Sequence, residues 1–405
     1  MFDSEKFYSE LGKSYQPGII TQVVLAAFEL RKQGKKLISL TGGSYDPDSV
    51  PYEPVKEILA EASVEDWQEI LQYGNTYGSL ELRQEISKFM AGHGIESDPG
   101  KEIMVTCGSQ QALDVISRVF IDPGDVVVVG SPTYLQALSA FRQFHPEIRT
   151  VPIDADGMDT EALETELKKL HSEGKTPKLL YMVPSFQNPT GTMLTVERRK
   201  RVLELAEEHD FLVVEDNPYG YISFDQPMPT PMAGMDKAGR VLYTSTFSKI
   251  VSPGLRIGWL KARGEFVSKM AEAKSNVNIC NDGMSTYVAA RLFKRGAVEA
   301  QIPRVTEVYR RKRDLMLEAM DASFPEEAEW NDPKGGLFLW VKMPERLNTT
   351  EMLSEAVQNG VAYIPGSNFF AKPVHNYIRL NYSFPSEDDI VEGIQILGGM
   401  LKEKL

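Results

Sequence analysis

The 405-residue sequence has little of several features that would each indicate a particular class of protein. Its two cysteines, Cys107 and Cys280, are too few for a disulfide framework, and neither lies in a CxxC or histidine-rich setting typical of zinc sites. No apolar run approaches the roughly 18 residues of a membrane span, and the start lacks the basic and apolar regions of a signal peptide. We therefore expect reduced thiols, no metal, no membrane partner and a cytoplasmic location.

Basic residues are also scarce relative to acidic ones. The chain has 44 Lys and Arg against 57 Asp and Glu, a net charge of −13, and no basic block. Binding through nucleic acid phosphates needs clustered Lys and Arg, so we expect no nucleic acid partner. Repeats and low-complexity tracts are absent as well, which argues against a solenoid. The 42% hydrophobic and 25% charged composition is that of an ordinary globular protein.

The middle of the chain alternates short β-branched runs with helical patterns. Such near-continuous apolar runs are typical of strands buried on both faces of a parallel sheet. The predicted strands are residues 102–106, 126–130, 179–183, 211–216 and 241–245. Thr195 is a predicted N-cap of a helix between two of them. The pattern predicts a three-layer α/β sandwich with a mostly parallel sheet.

The pattern changes near residue 300. A long Arg- and Glu-rich helix is followed by few strands and less regular helices, which indicates a smaller α+β domain. Near the start, residues 17–34 resemble a helix and 37–43 a strand ending at a glycine pair. We predict a large domain at 46–297 and a small domain built from 1–45 and 298–405.

Polar side chains cluster after the predicted strands, at the sheet edge where open parallel sheets bind ligands. A glycine turn leads into a helix that begins near Ser109, so its amides can face an anion. The other strand ends carry an amide, a carboxylate, a phenol, a lysine and an arginine: Asn188, Asp216, Tyr219, Lys249 and Arg256.

Each of these features also has an ordinary structural explanation. A glycine turn into a helix is common, and Asn188 with its Pro-Thr-Gly neighbours is typical of a turn. Asp216 alone resembles a surface charge or helix cap, and Lys249 alone a solvated side chain. These explanations do not account for the ordered occurrence of all of them at strand ends.

Together the motifs resemble the fold-type I pyridoxal 5′-phosphate aminotransferases of class I/II, in the branch with 2-aminoadipate and kynurenine aminotransferases. The most specific motif is TFSKIVSPGLRIGW at 246–259, and the likeness extends from residue 37 to 384. It implies an aspartate aminotransferase-like fold. It also implies ping-pong transfer of an α-amino group from an amino acid to a 2-oxo acid, with 2-oxoglutarate as the expected acceptor.

The resemblance assigns catalytic roles to three residues. Lys249 matches the Schiff-base lysine, whose freed amine then serves as general base. Asp216 matches the carboxylate that keeps the cofactor ring nitrogen protonated. Tyr219, with Asn188, matches the donor pair for the phenolate oxygen of the ring.

It also implies the residues that hold the cofactor. Tyr134 resembles the stacking aromatic, Pro218 packs on the other face, and Tyr73 resembles a tyrosine given to the partner subunit's site, which implies a homodimer. The phosphate is expected to bind Ser109, Gln110, Thr246, Ser248 and Arg256.

For the substrate, Arg379 matches the arginine that binds the α-carboxylate, and Asn188 is expected beside it. Gly43, which follows Thr41 and Gly42, lies in the segment that resembles the one closing over the substrate. The chain departs from relatives that carry Pro-x-x-Ile-Arg in the first helix, because residues 17–21 read Pro-Gly-Ile-Ile-Thr. No arginine there can meet a second carboxylate. Aromatic, aliphatic or broad substrates are therefore favoured, with three expected apolar walls: Tyr15, Tyr45 and Phe369.

Two alternatives stay open. The same cofactor site serves β-lyases, decarboxylases and racemases, because groups around it decide the fate of the carbanion. A MocR-type regulator would need a helix-turn-helix segment, and the roughly 45 residues before the first large-domain motif show no such pattern.

Overall fold

The computed structural model describes residues 2–15, 17–32 and 34–405, with only the backbone of Ile20, Val24 and Arg31. The strands are β1 Ile38–Ser39, β2 Ile103–Thr106, β3 Val126–Ser131, β4 Glu147–Asp154, β5 Gly157–Met158, β6 Pro177–Met182, β7 Leu212–Asp216, β8 Val241–Thr246, β9 Gly258–Lys261, β10 Glu329–Trp330, β11 Phe338–Lys342, β12 Val361–Ala362, β13 Ile364–Pro365 and β14 Tyr377–Asn381.

The α-helices are α1 Glu10–Ser14, α2 Ile19–Lys32, α3 Tyr52–Ala60, α4 Val64–Ile70, α5 Leu80–Ala91, α6 Gly108–Phe120, α7 Leu135–Arg142, α8 Thr160–Ser172, α9 Val196–Glu208, α10 Met232–Met235, α11 Gly264–Asn278, α12 Gly283–Lys294, α13 Ala297–Ser323, α14 Thr349–Gln358 and α15 Glu387–Lys404. Across the described ranges, no helix is long and apolar enough to cross a membrane.

The large sheet has eight strands in the order β2-β9-β8-β7-β6-β3-β4-β5. Strands β4, β3, β6, β7 and β8 run parallel, as their valine-rich sequences predict, and β3 is buried along almost its whole length. The three-layer α/β prediction is confirmed. Strands β9 and β5 are antiparallel additions, and these two and β4 are absent from the sequence-based prediction.

Two helices of this layer begin where the sequence indicates. Thr195 caps α9, its hydroxyl accepting the amide of Arg198, and Val202 and Leu205 on the helix are fully buried. Helix α6 begins at Gly108, directly after β2, and contacts α7, α11 and β9. The helix N-terminus therefore lies at the sheet edge where the polar strand ends gather.

A second, antiparallel sheet has the order β10-β11-β14-β13. Strand β1 pairs in parallel with β12, which joins the first 45 residues to the C-terminal part of the chain. Strand β1 ends at Ser39 and does not continue to the glycine pair as predicted, since residues 40–46 follow an irregular path toward the large sheet. That path brings Thr41 and Gly43 toward the strand ends.

Candidate active site

One cavity of about 110 Å³ lies at the carboxyl ends of β6, β7 and β8, beside the N-terminus of α6. Its lining consists of Ser109, Gln110, Tyr134, Val183, Asn188, Asp216, Pro218, Tyr219, Thr246, Ser248, Lys249 and Arg256. All of these except Val183 are site residues predicted from the sequence. Parallel strands place their ends together, which is why residues more than 100 positions apart meet here.

Lys249 stands in a short 3-10 helix, Phe247–Lys249, directly after β8. Its Nζ donates a hydrogen bond to the carbonyl oxygen of Gly43 at 2.6 Å. Burial lowers the pKa of Lys249 to about 8, and the positive charges of Arg379 and Arg256 lower it further in the same direction. A substantial fraction of the amine is therefore unprotonated near neutral pH and available as a nucleophile.

Asp216 ends β7 and is 1% exposed. Its Oδ2 accepts a hydrogen bond from the hydroxyl of Tyr181 at 2.9 Å, whereas its Oδ1 is buried without a partner among the described residues. Burial raises the pKa of Asp216 to about 7, against the opposing effects of Tyr181 and Lys249. An unpaired buried carboxylate oxygen is costly unless a ligand meets it, so this oxygen indicates a cationic or donor group in the cavity.

A chain of polar contacts crosses the cavity wall. Asn188 donates from Nδ2 to the hydroxyl of Tyr219 at 3.2 Å, and its Oδ1 accepts from Arg379 Nη1 at 2.8 Å. Arg379 also donates from Nη2 to the carbonyl of Thr41. Burial raises the pKa of Tyr219, so its phenol stays protonated and can donate to an anion.

The opposite end of the cavity can bind an anion. We call this group the anion seat; it consists of Ser109, Thr246, Ser248 and Arg256. Among the described side chains none caps α6, so its first amides, including that of Ser109, have no side-chain acceptor there. Ser248 and Thr246 lie 2.9 Å apart at their hydroxyls. The guanidinium of Arg256 lies 3.4 Å from the Ser248 hydroxyl, which places a fixed positive charge beside these donors.

Gly108 explains how Arg256 reaches this seat. It has a left-handed backbone (φ +72°), and a Cβ there would lie 2.6 Å from Arg256 Nη2. Arg256 itself has φ +52°, uncommon for a residue with a side chain, and donates to the carbonyls of Cys107 and Pro253. The strained backbone thus holds the guanidinium against the helix N-terminus.

Comparison with known proteins identifies the family. Residues 35–397 match the family model for aminotransferase class I and II. The chain is 41% identical over 404 residues to aromatic-amino-acid aminotransferase 1 of Thermococcus litoralis, covering 100% of this chain and 96% of the relative. The chain belongs to the class I and II aminotransferases.

Solved structures extend this result to the fold. The aminotransferase superposes on Pyrococcus horikoshii kynurenine aminotransferase in complex with PMP with a TM-score of 0.94 and 41% identity, covering 100% and 98% of the two chains. For LysN of Thermus thermophilus, an alpha-aminoadipate aminotransferase complexed with N-(5′-phosphopyridoxyl)-L-leucine, the TM-score is 0.90 at 32% identity and 99% coverage of both chains. The fold is aspartate aminotransferase-like, and amino-group transfer is favoured over the regulator and lyase alternatives.

Three predicted site residues of the aminotransferase lie outside the cavity lining. Arg379 donates a hydrogen bond to the lining residue Asn188, and the carbonyl of Gly43 accepts one from the lining residue Lys249. Tyr73 is 78% exposed on the surface of the chain. Its assignment to a partner's site stays a prediction.

The three expected substrate walls have different surroundings. Tyr15 is 61% exposed, and its hydroxyl donates to Gln143. Tyr45 is buried and packs edge-to-face against Tyr309. Phe369 is fully buried and packs on the guanidinium of Arg379.

The sequence reasoning missed Tyr181, Val183 and Phe338. Tyr181 and Val183 lie in an apolar strand sequence, and Tyr181 carries the one hydroxyl of that run, at the same face as Val183. A hydroxyl near the carboxyl end of a buried strand is the signal that indicates a partner for Asp216. Phe338, on the second sheet, left no comparable signal.

Proposed function

We propose that this aminotransferase binds pyridoxal 5′-phosphate in the cavity and transfers the α-amino group of an aromatic or aliphatic amino acid to a 2-oxo acid, with 2-oxoglutarate as acceptor. The unpaired buried Oδ1 of Asp216 carries the proposal, because a protonated pyridine nitrogen is the partner it lacks. The lysine and the anion seat lie in the same cavity.

The residues present fit this cofactor at each end. Asp216 would hold the ring nitrogen, Asn188 and Tyr219 the ring oxygen, and Tyr134 and Pro218 the two ring faces. The phosphate would bind Ser109, Gln110, Thr246, Ser248 and Arg256.

When bound, pyridoxal phosphate supplies an electron sink for the electrons of the substrate Cα–H bond. Lys249 would hold the cofactor through Nζ, and its free amine would take the proton from the substrate Cα at the same atom. The lowered pKa of Lys249, about 8, favours both tasks near neutral pH. Asp216 in its ionised form would hold the proton on the ring nitrogen.

Arg379 would bind the substrate α-carboxylate. It is 2% exposed, and burial lowers its pKa to about 10, so it remains charged at neutral pH. Pro17-Gly18-Ile19-Ile20-Thr21 provides no second cation for a side-chain carboxylate. The names of the Thermococcus and Pyrococcus relatives, aromatic-amino-acid and kynurenine aminotransferase, support an aromatic donor.

A panel of amino donors tests this proposal. Protein loaded with pyridoxal phosphate is mixed with phenylalanine, leucine or 2-aminoadipate, and bleaching of the visible absorption is followed without an acceptor. We expect the fastest bleaching with phenylalanine or leucine and recovery on adding 2-oxoglutarate. Protein that takes up no cofactor would contradict the proposal. Release of 2-oxo acid without amination of the acceptor would favour a lyase.

We further propose a cytoplasmic homodimer in which Tyr73 serves the partner's cofactor phosphate, and a division into domains 46–297 and 1–45 with 298–405. The exposure of Tyr73 and the pairing of β1 with β12 support these proposals. Mixing Lys249→Ala with Tyr73→Ala chains tests the shared site. Random exchange should restore about a quarter of wild-type activity, since half of the dimers regain one of two sites. No recovery after exchange would place Tyr73 outside the partner's site.

A further inference from the structure

The Arg379 guanidinium lies between two aromatic rings. Its central carbon is 4.1 Å from the ring centroid of Phe338 and 4.9 Å from that of Phe369. The three side chains are each no more than 2% exposed. Stacking of this kind attracts a cation through the negative faces of the rings.

The edge of the same guanidinium is only partly used. Nη1 donates to Asn188 and Nη2 to the carbonyl of Thr41, whereas Nε is buried without a partner in the described ranges. No carboxylate of those ranges forms an ion pair with Arg379. Some other buried cations do have one, such as Lys312 with Asp46 at 2.7 Å. Aromatic faces stabilise the buried charge here without supplying an anion that would compete with a ligand.

Phe338 also contacts the surroundings of the cofactor cavity. A Cβ at Gly43 would lie 2.7 Å from its Cζ, so the ring fits only against a glycine. Its ring stands edge-to-face with Tyr219, with centroids 5.5 Å apart. Phe369 is held from behind by Trp340, again edge-to-face, at 5.6 Å. Both rings are therefore fixed by their own neighbours.

We propose that Phe338 and Phe369 are positioning residues that hold the Arg379 guanidinium by its two faces, so that it meets the substrate carboxylate with an unneutralised charge. This inference rests on the carboxylate-binding role of Arg379 in the proposed function. It predicts that loss of either ring weakens binding of a carboxylate more than binding of an uncharged analogue.

The test measures dissociation constants of two unreactive ligands on the cofactor-loaded enzyme, 3-phenylpropionate and 3-phenylpropionamide. The two share their apolar part, so the ratio of their constants isolates the charge. Phe338→Leu and Phe369→Leu should each reduce this ratio about three- to tenfold, the effect expected from losing one cation–π contact. Phe324→Leu is the control, because Phe324 is also buried and packs edge-to-face on Trp330 in the same part of the chain.

The outcomes distinguish the carboxylate-binding role of Arg379 from the positioning role of the two rings. A wild-type enzyme that binds both ligands equally would remove Arg379 from its carboxylate role and overturn this inference with it. A wild-type preference for the carboxylate that both leucine variants retain would overturn the inference alone. Weaker binding of both ligands by the same factor would show a purely structural role and also overturn it. Either variant decides the question if the other does not fold.

Discussion

Replacing Tyr181 by phenylalanine tests the environment of Asp216. The Tyr181 hydroxyl donates the one hydrogen bond that the described side chains give this carboxylate, at 2.9 Å to Oδ2. Both residues are buried, so water does not readily replace the lost donor. Because the hydrogen bond favours the ionised form, its loss should raise the pKa of Asp216 above the value of about 7 that burial already produces.

The size of the effect follows from the charge on the acceptor. A hydrogen bond to a charged group contributes about 1.5–3 kcal/mol, which is about a tenfold to hundredfold change in an acid dissociation constant. At pH 7 the ionised fraction of Asp216 then falls from about one half to about one tenth or less. If the carboxylate binds the ring nitrogen, affinity for pyridoxal phosphate should fall about fivefold or more at pH 7.

Equilibrium titration of cofactor-free protein with pyridoxal phosphate measures this change. Above pH 9 the difference between wild type and Tyr181→Phe should shrink to about twofold or less, since the variant carboxylate is then at least about half ionised and that of the wild type almost fully. Tyr363→Phe serves as control, because that buried hydroxyl donates to the carbonyl of Thr349, away from the cavity. Equal affinity of Tyr181→Phe and wild type at pH 7 would refute the role assigned to the Asp216 pair.

Two further predictions concern the lysine and the anion seat. Burial lowers the pKa of Lys249 to about 8. The rate of covalent cofactor attachment, measured by stopped-flow absorbance, should therefore rise with pH with a midpoint near 8 and then level off. A rate that continues to rise beyond pH 10 would contradict this. Gly108→Ala should weaken cofactor affinity about tenfold or more, since its Cβ would displace Arg256. Gly124→Ala has the same left-handed strain with nothing within 4 Å, and should leave affinity unchanged in the same titration.

The parallel part of the sheet could be predicted because its strands are buried on both faces. Such strands must be apolar throughout, so the valine run of β3 is readily recognised as a buried strand from the sequence. Strand β9, GWLK, carries no such run and is held by antiparallel pairing to β2 and β8. Its strand conformation depends on neighbours far away in the chain, which a local pattern does not contain.

The same distinction applies to the site. Residues that follow strand ends could be found, because topology alone brings Asp216 and Lys249 to one edge. Phe338 could not, because its contacts depend on which side chains pack against it, and for Tyr181 the sequence offers one signal, a hydroxyl near the end of an apolar strand. The stacking of Phe338 on Arg379 joins two strands of the second sheet, and only the three-dimensional arrangement shows it.

The charge of the cavity also follows from local packing and not from composition. The protein has a net charge of −13, yet Asp216 is the one carboxylate among the cavity-lining residues that the structure describes, against Lys249 and Arg256, with Arg379 just behind. Many acidic side chains instead lie in surface ion pairs, such as Glu164 with Arg201. Such pairs are screened by water and add little field inside the protein, whereas buried charges act at short range in a low dielectric. An acidic protein can therefore present a site whose excess positive charge suits a phosphate and a carboxylate together.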